Sequence, residues 1–118
     1  LAVTFGFVAQ AQNKAEIKFV TEEIDYGTIK QGADGVRVFE FKNTGKAPLV
    51  ISGASSSCGC TVPSYPKDPI APGATGKIEV KYDTQRVGAI AKTIMVTSNA
   101  TDTPNIALRI KGKVEANN

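Results

Sequence analysis

Thr75-Gly76-Lys77-Ile78-Glu79-Val80-Lys81-Tyr82 decides how the chain is read. Side chains alternate across a strand, so Ile78, Val80 and Tyr82 share one face while Lys77, Glu79 and Lys81 share the other. One face suits a core and the other suits water. Outward from this segment the same period of two recurs. Ile94 and Val96 alternate with Thr93, Met95 and Thr97, and Ile106, Leu108 and Ile110 alternate with Ala107, Arg109 and Lys111. Val36 to Lys42 sets Phe39 and Phe41 against Glu40 and Lys42, and after Pro48 the residues Leu49, Ile51 and Gly53 oppose Val50 and Ser52. Ile17 and Phe19 flank Lys18, and Ile24-Asp25-Tyr26-Gly27 continues them as one extended first strand.

The punctuation agrees with this reading. Asn43-Thr44-Gly45 turns the chain, with glycine where a positive φ is cheap. Pro72-Gly73 fits the central pair of a type II turn. Pro63, Pro66, Pro69 and Pro72 mark a loop crossing between sheets. Helix signals are nearly absent, and a parallel fold would need crossover helices. About seven short strands with turn signals roughly every 8–12 residues predict an all-β, immunoglobulin-like antiparallel β-sandwich of about seven to nine strands. Every strand contributes to the expected core, which at roughly 1.5–3 kcal/mol per large buried side chain needs no covalent staple.

The chain has 118 residues, 42% hydrophobic and 21% charged, which predicts one globular domain over residues 12–118. Ahead of it, an apolar run from Leu1 to Val8 meets Ala9-Gln10-Ala11, a small-x-small pattern that resembles the end of a secretory signal peptide. Residues 1–11 are therefore expected to be a signal-peptide remnant, and the product to be exported, periplasmic or secreted. Residues 47–66 carry no charge and are long enough to cross a bilayer, but their serines, glycines and prolines rule out a transmembrane segment. The 14 basic residues exceed the 11 acidic ones by 3 but form no block. Arg109, Lys111 and Lys113 share one strand face, which reads as a solvated face. No aromatic residues interleave with them, so nucleic acid is not an expected partner.

Ser55 to Pro63 holds both cysteines, in the segment Cys58-Gly59-Cys60. Three readings are open. Residues two apart in a strand lie too far apart for an easy disulfide, although a sharp turn at Gly59 closes the ring; such a bridge stabilises little and reduces readily. Two thiolates on one face can hold Cu(I) or begin a zinc site, with Cys58 and Cys60 as the ligands. Without histidine, zinc would need further ligands such as Asp68. The third reading is packing, two small soft residues where a strand leaves the sheet. Catalysis is the weakest reading, because a nucleophilic cysteine wants an oriented base. No cofactor is expected.

Asp25-Tyr26-Gly27, Phe39-Glu40-Phe41-Lys42-Asn43-Thr44-Gly45, Pro48-Leu49-Val50-Ile51, Ser57-Cys58-Gly59-Cys60-Thr61, Pro72-Gly73, Ser98-Asn99 and Ile110-Lys111-Gly112 together resemble a family of secreted bacterial immunoglobulin-like domains, catalogued only as a domain of unknown function. That family is similar in fold to the Hydin-type and major sperm protein domains, which are binding and assembly modules. The resemblance covers Ile24 to Val114. It implies an exported sandwich of the cell envelope with no established reaction and with Cys58, Gly59 and Cys60 as its hallmark. The expected function is a non-enzymatic binding or assembly module for another envelope protein or a glycan. The alternative is a thiol module, redox-active or Cu(I)-binding, carried by Cys58 and Cys60.

Overall fold

The computed structural model describes residues 14–56 and 59–117. Eight strands appear in chain order: β1 (Ile17–Phe19), β2 (Glu23–Lys30), β3 (Val36–Asn43), β4 (Ile51–Ser56), β5 (Thr61–Ser64), β6 (Thr75–Tyr82), β7 (Gly88–Ser98) and β8 (Asn105–Glu115). They form two four-stranded sheets, ordered β1-β3-β6-β5 and β2-β8-β7-β4. The predicted all-β immunoglobulin-like sandwich is what the chain adopts. Alternation does the sorting: Ile78, Val80, Phe39, Phe41, Ile94, Leu108 and Ile110 are all buried, and the polar residues between them are exposed.

Three local expectations are corrected. The single first strand is two strands in different sheets. β1 pairs antiparallel with β3, whereas β2 pairs with β8. Val20-Thr21-Glu22 crosses between the sheets, and alternation cannot reveal that because a strand keeps its inward face on either sheet. The β2–β8 pair is moreover parallel. No crossover helix is needed, since the remainder of the domain lies between the two strands in sequence. Thr61–Ser64, expected to be loop, is an edge strand on β6. Its Pro63 is tolerated because Cys60 O accepts from Asp83 N (2.8 Å), which turns even-numbered residues toward β6 and leaves Pro63 N facing outward.

The turns also resolve. Ala71-Pro72-Gly73-Ala74 is closed by Ala74 N donating to Ala71 O (2.9 Å), with Gly73 at φ 81°, as a type II turn demands. Gly45 serves another purpose than the expected one. Its φ is not positive, but a Cβ there would sit 2.2 Å from Lys14 O, so glycine is required for close approach. Beside it, Asn43 is fully buried and holds three segments together. Its Nδ2 donates to Ala47 O (2.8 Å) and Ile70 O (2.9 Å), and its Oδ1 accepts from Gly45 N (2.9 Å) and Glu16 N (3.4 Å).

Candidate functional site

The Cys-Gly-Cys segment joins β4 to β5. β4 runs alongside β7 until Ser56 faces Ile94, and β5 resumes with Thr61 opposite Tyr82. Gly59 and Cys60 form a turn between them, and Cys58 lies outside the described residues. Cys60 is buried and belongs to the core cluster. Its Sγ lies 3.7 Å from Thr61 Oγ1, and it is disulfide-bonded. Of the three readings, the bonded one is therefore what Cys60 displays. A sulfur in a disulfide is neither a thiolate nucleophile nor a soft-metal ligand, so metal capture would require prior reduction. Gly59 has open space around its Cβ position and no positive φ. Nothing in the described geometry demands glycine there.

Tyr26 is the polar residue that alternation left half-placed. Between Asp25 and Thr28, β2 carries one residue more than β8, so Tyr26 and Gly27 bulge opposite Gly112. Gly27 takes φ 68° and its N donates to Asp25 Oδ1 (2.8 Å). The bulge turns Tyr26 inward, where its hydroxyl donates to Gly35 O (2.7 Å), its ring meets Tyr82 edge-on, and the Arg37 guanidinium sits 4.2 Å from its centroid. Burial pushes the phenol pKa up, and the Arg37 cation opposes that in part. The Tyr26–Gly35 bond ties β2 to the start of β3 across the sandwich. It is structural.

On the edge of the sandwich opposite Cys60 lies a groove of 710 Å³ between β1 and the first half of β8. Ile17, Phe19 and Ile106 supply apolar lining, while Lys18, Glu22 and Arg109 are among the charged residues around it. The groove exists because the chain leaves one sheet before it joins the other. β2 reaches β8 only at Arg109, whose N donates to Glu22 O (2.9 Å). Sequence reasoning missed this site. The one signal for it was the polar Thr21-Glu22-Glu23 interrupting the first strand.

Residues 17–114 match a protein family described as a protein of unknown function, DUF1573. No match is found among curated proteins. Among solved structures, a protein of unknown function from Porphyromonas gingivalis W83 is similar at TM-score 0.77 and 18% identity, over 87% of this chain and 48% of that one. This chain thus spans about half the length of that relative. The ASH/PapD-like domain 7 of human CEP192 is similar at TM-score 0.72 and 12% identity, over 89% of each chain. The YadV chaperone is similar at TM-score 0.57 and 14% identity, over 87% of this chain and 53% of that one. At such identities these likenesses establish the fold.

Proposed function

This chain belongs to the DUF1573 family, and we propose that it serves as a non-enzymatic binding or assembly module, exported to the cell envelope, whose ligand is another envelope protein or a glycan. The observation that carries the reading is how the polar groups are used. Asn43, Thr84 and Tyr26 all bond to backbone carbonyls. Among the described residues no buried side-chain nitrogen or oxygen lacks a partner. A catalytic acid or base has to exchange protons with a substrate, and these groups are committed to the scaffold. The fold likeness to a chaperone and to a PapD-like domain supports protein as the ligand class. Export is supported by the Ala9-Gln10-Ala11 pattern and by the oxidised Cys60, since disulfides persist outside the cytosol.

Affinity isolation of the cross-linked, exported protein from the envelope of its native host tests this reading. A reproducible partner supports it, and recovery of nothing reproducible counts against it. Intact mass of the same sample is expected to show a chain that begins at Gln12; a mature species that retains Leu1 removes the export step.

A second reading, the thiol module, is favoured in its redox form by one observation, the disulfide at Cys60. A Cys58→Ser, Cys60→Ser double variant with unchanged redox behaviour and metal content would end it.

A further inference from the structure

Backbone direction shows which strand edges are free. In β1, Glu16 O accepts from Thr44 N (3.1 Å) and Val20 N donates to Glu40 O (2.9 Å). Even-numbered residues there face β3, so Ile17 and Phe19 turn their N–H and C=O groups outward, toward the groove. In β8, Pro104 O accepts from Ser98 N (2.9 Å), whereas Arg109 N donates to Glu22 O and Glu115 O accepts from Gln31 N (2.8 Å). Odd-numbered residues of β8 therefore face β2. Because β2 arrives only at Arg109, no strand among the described residues lies beside Asn105 and Ala107. Among the described residues, the groove thus runs between two unpaired edges.

We propose that this groove is a strand-acceptor slot: an extended segment of a partner protein adds beside Asn105–Leu108, with apolar side chains toward Ile17, Phe19 and Ile106 and a carboxylate beside Arg109. The proposal rests on the binding-module reading and names its surface. Edge strands are templates for further strands unless they are guarded. β5 is guarded, by Pro63 facing outward. Among the described residues no proline lines the slot. Its open stretch of β8, from Asn105 to Leu108, measures about 13 Å at roughly 3.3 Å per residue, and the Val20-Thr21-Glu22 crossing closes it at one end. It admits one short extended segment. A second whole domain would need about 800 Å² of contact per partner, which an edge of this length does not offer.

Charge sets the segment's chemistry. β2 already places acids beside the bases of β8 and the reverse: Glu23 pairs with Lys111 (3.6 Å) and Lys30 with Glu115 (3.6 Å). Arg109, one step further toward the slot, makes no ion pair among the described residues, and neither does Lys18 on the facing strand. Glu22 stands at the closed end, where its carbonyl holds Arg109 N. Ala107 is small, which leaves room for the segment's outward side chains.

The test uses the full chain and a displayed library of random short peptides. Selected peptides are expected to alternate apolar residues with Asp or Glu, and to shift the amide signals of Asn105, Ala107, Ile17 and Phe19. Ala107→Pro removes an outward donor while leaving the β7–β8 bonds intact, and is expected to weaken binding about tenfold. Arg109→Glu, at an exposed position, is expected to switch the preference from acidic to basic peptides. No enrichment, shifts confined to other faces, or binding indifferent to both variants would overturn the slot. So would concentration-dependent protection of the slot amides without peptide, which would assign it to a second copy. A native partner cross-linked to another face would leave the module reading standing and remove only the slot.

Discussion

The two halves of β8 share one strand, one alternation and one neighbour in β7, yet they end differently on their other side. From Arg109 to Glu115 the strand is covered by β2, the Tyr26 bulge locks the two sheets, and ion pairs decorate the outer face. From Asn105 to Leu108 the same strand faces the groove. The difference comes from where the chain changes sheets, at Val20-Thr21-Glu22. A sandwich can therefore keep one half of an edge for stability and leave the other half for contact.

The largest expected effect breaks the covered half. Gly112 has φ 145°, and a Cβ there would meet Gly27 O at 2.8 Å and Tyr26 Cβ at 2.9 Å. Gly112→Ala is expected to cost about 3 kcal/mol in urea unfolding, from overpacking and backbone strain together. A smaller effect separates the halves directly. Arg109→Pro loses the bond to Glu22 O and is expected to cost about 1.5 kcal/mol, whereas Ala107→Pro, two residues away on the same face, should stay within about 0.5 kcal/mol of the parent. Equal losses would mean that the Ala107 N–H is paired after all.

Tyr26→Phe removes one buried bond, to Gly35 O, and is expected to cost about 1 kcal/mol. It also changes the alkaline limb. The folded phenol holds its proton more tightly than the unfolded one, whose pKa is about 10. Its contribution is present in full below the unfolded value and falls as pH rises through the folded value, so the parent should lose stability above about pH 10 with a slope that Tyr26→Phe lacks. The smallest effect is Lys111→Ala. It breaks an exposed pair with Glu23 and should cost less than about 0.5 kcal/mol by thermal unfolding, less still in high salt.

Much of the fold was legible because alternation reports burial directly. Ile78, Val80, Phe39 and Leu108 were assigned to the core from spacing alone and are fully buried. Spacing does not report which sheet a strand joins, so β1 and β2 merged and the groove between β1 and β8 went unseen. It also does not report polar burial. Asn43 was read as a turn residue, yet it is a buried hub, because an amide that meets four backbone groups inside looks the same in sequence as one that meets water. Gly45 was correctly placed in a turn for the wrong reason, since close approach of Lys14 O leaves no trace in local sequence. The Cys58-Gly59-Cys60 segment was visible at once, but its chemistry was not, because the same three residues suit a bridge, a metal or a packed turn.

Amide hydrogen exchange along β8 of the free, full chain tests the central claim most directly. The amides of Asn105 and Ala107 should exchange at rates near those of open strand edges, while that of Arg109, bonded to Glu22, and those of the even-numbered residues bonded to β7 should be protected by the global stability. Protection of Asn105 and Ala107 equal to that of Arg109 in dilute, peptide-free protein would contradict the account.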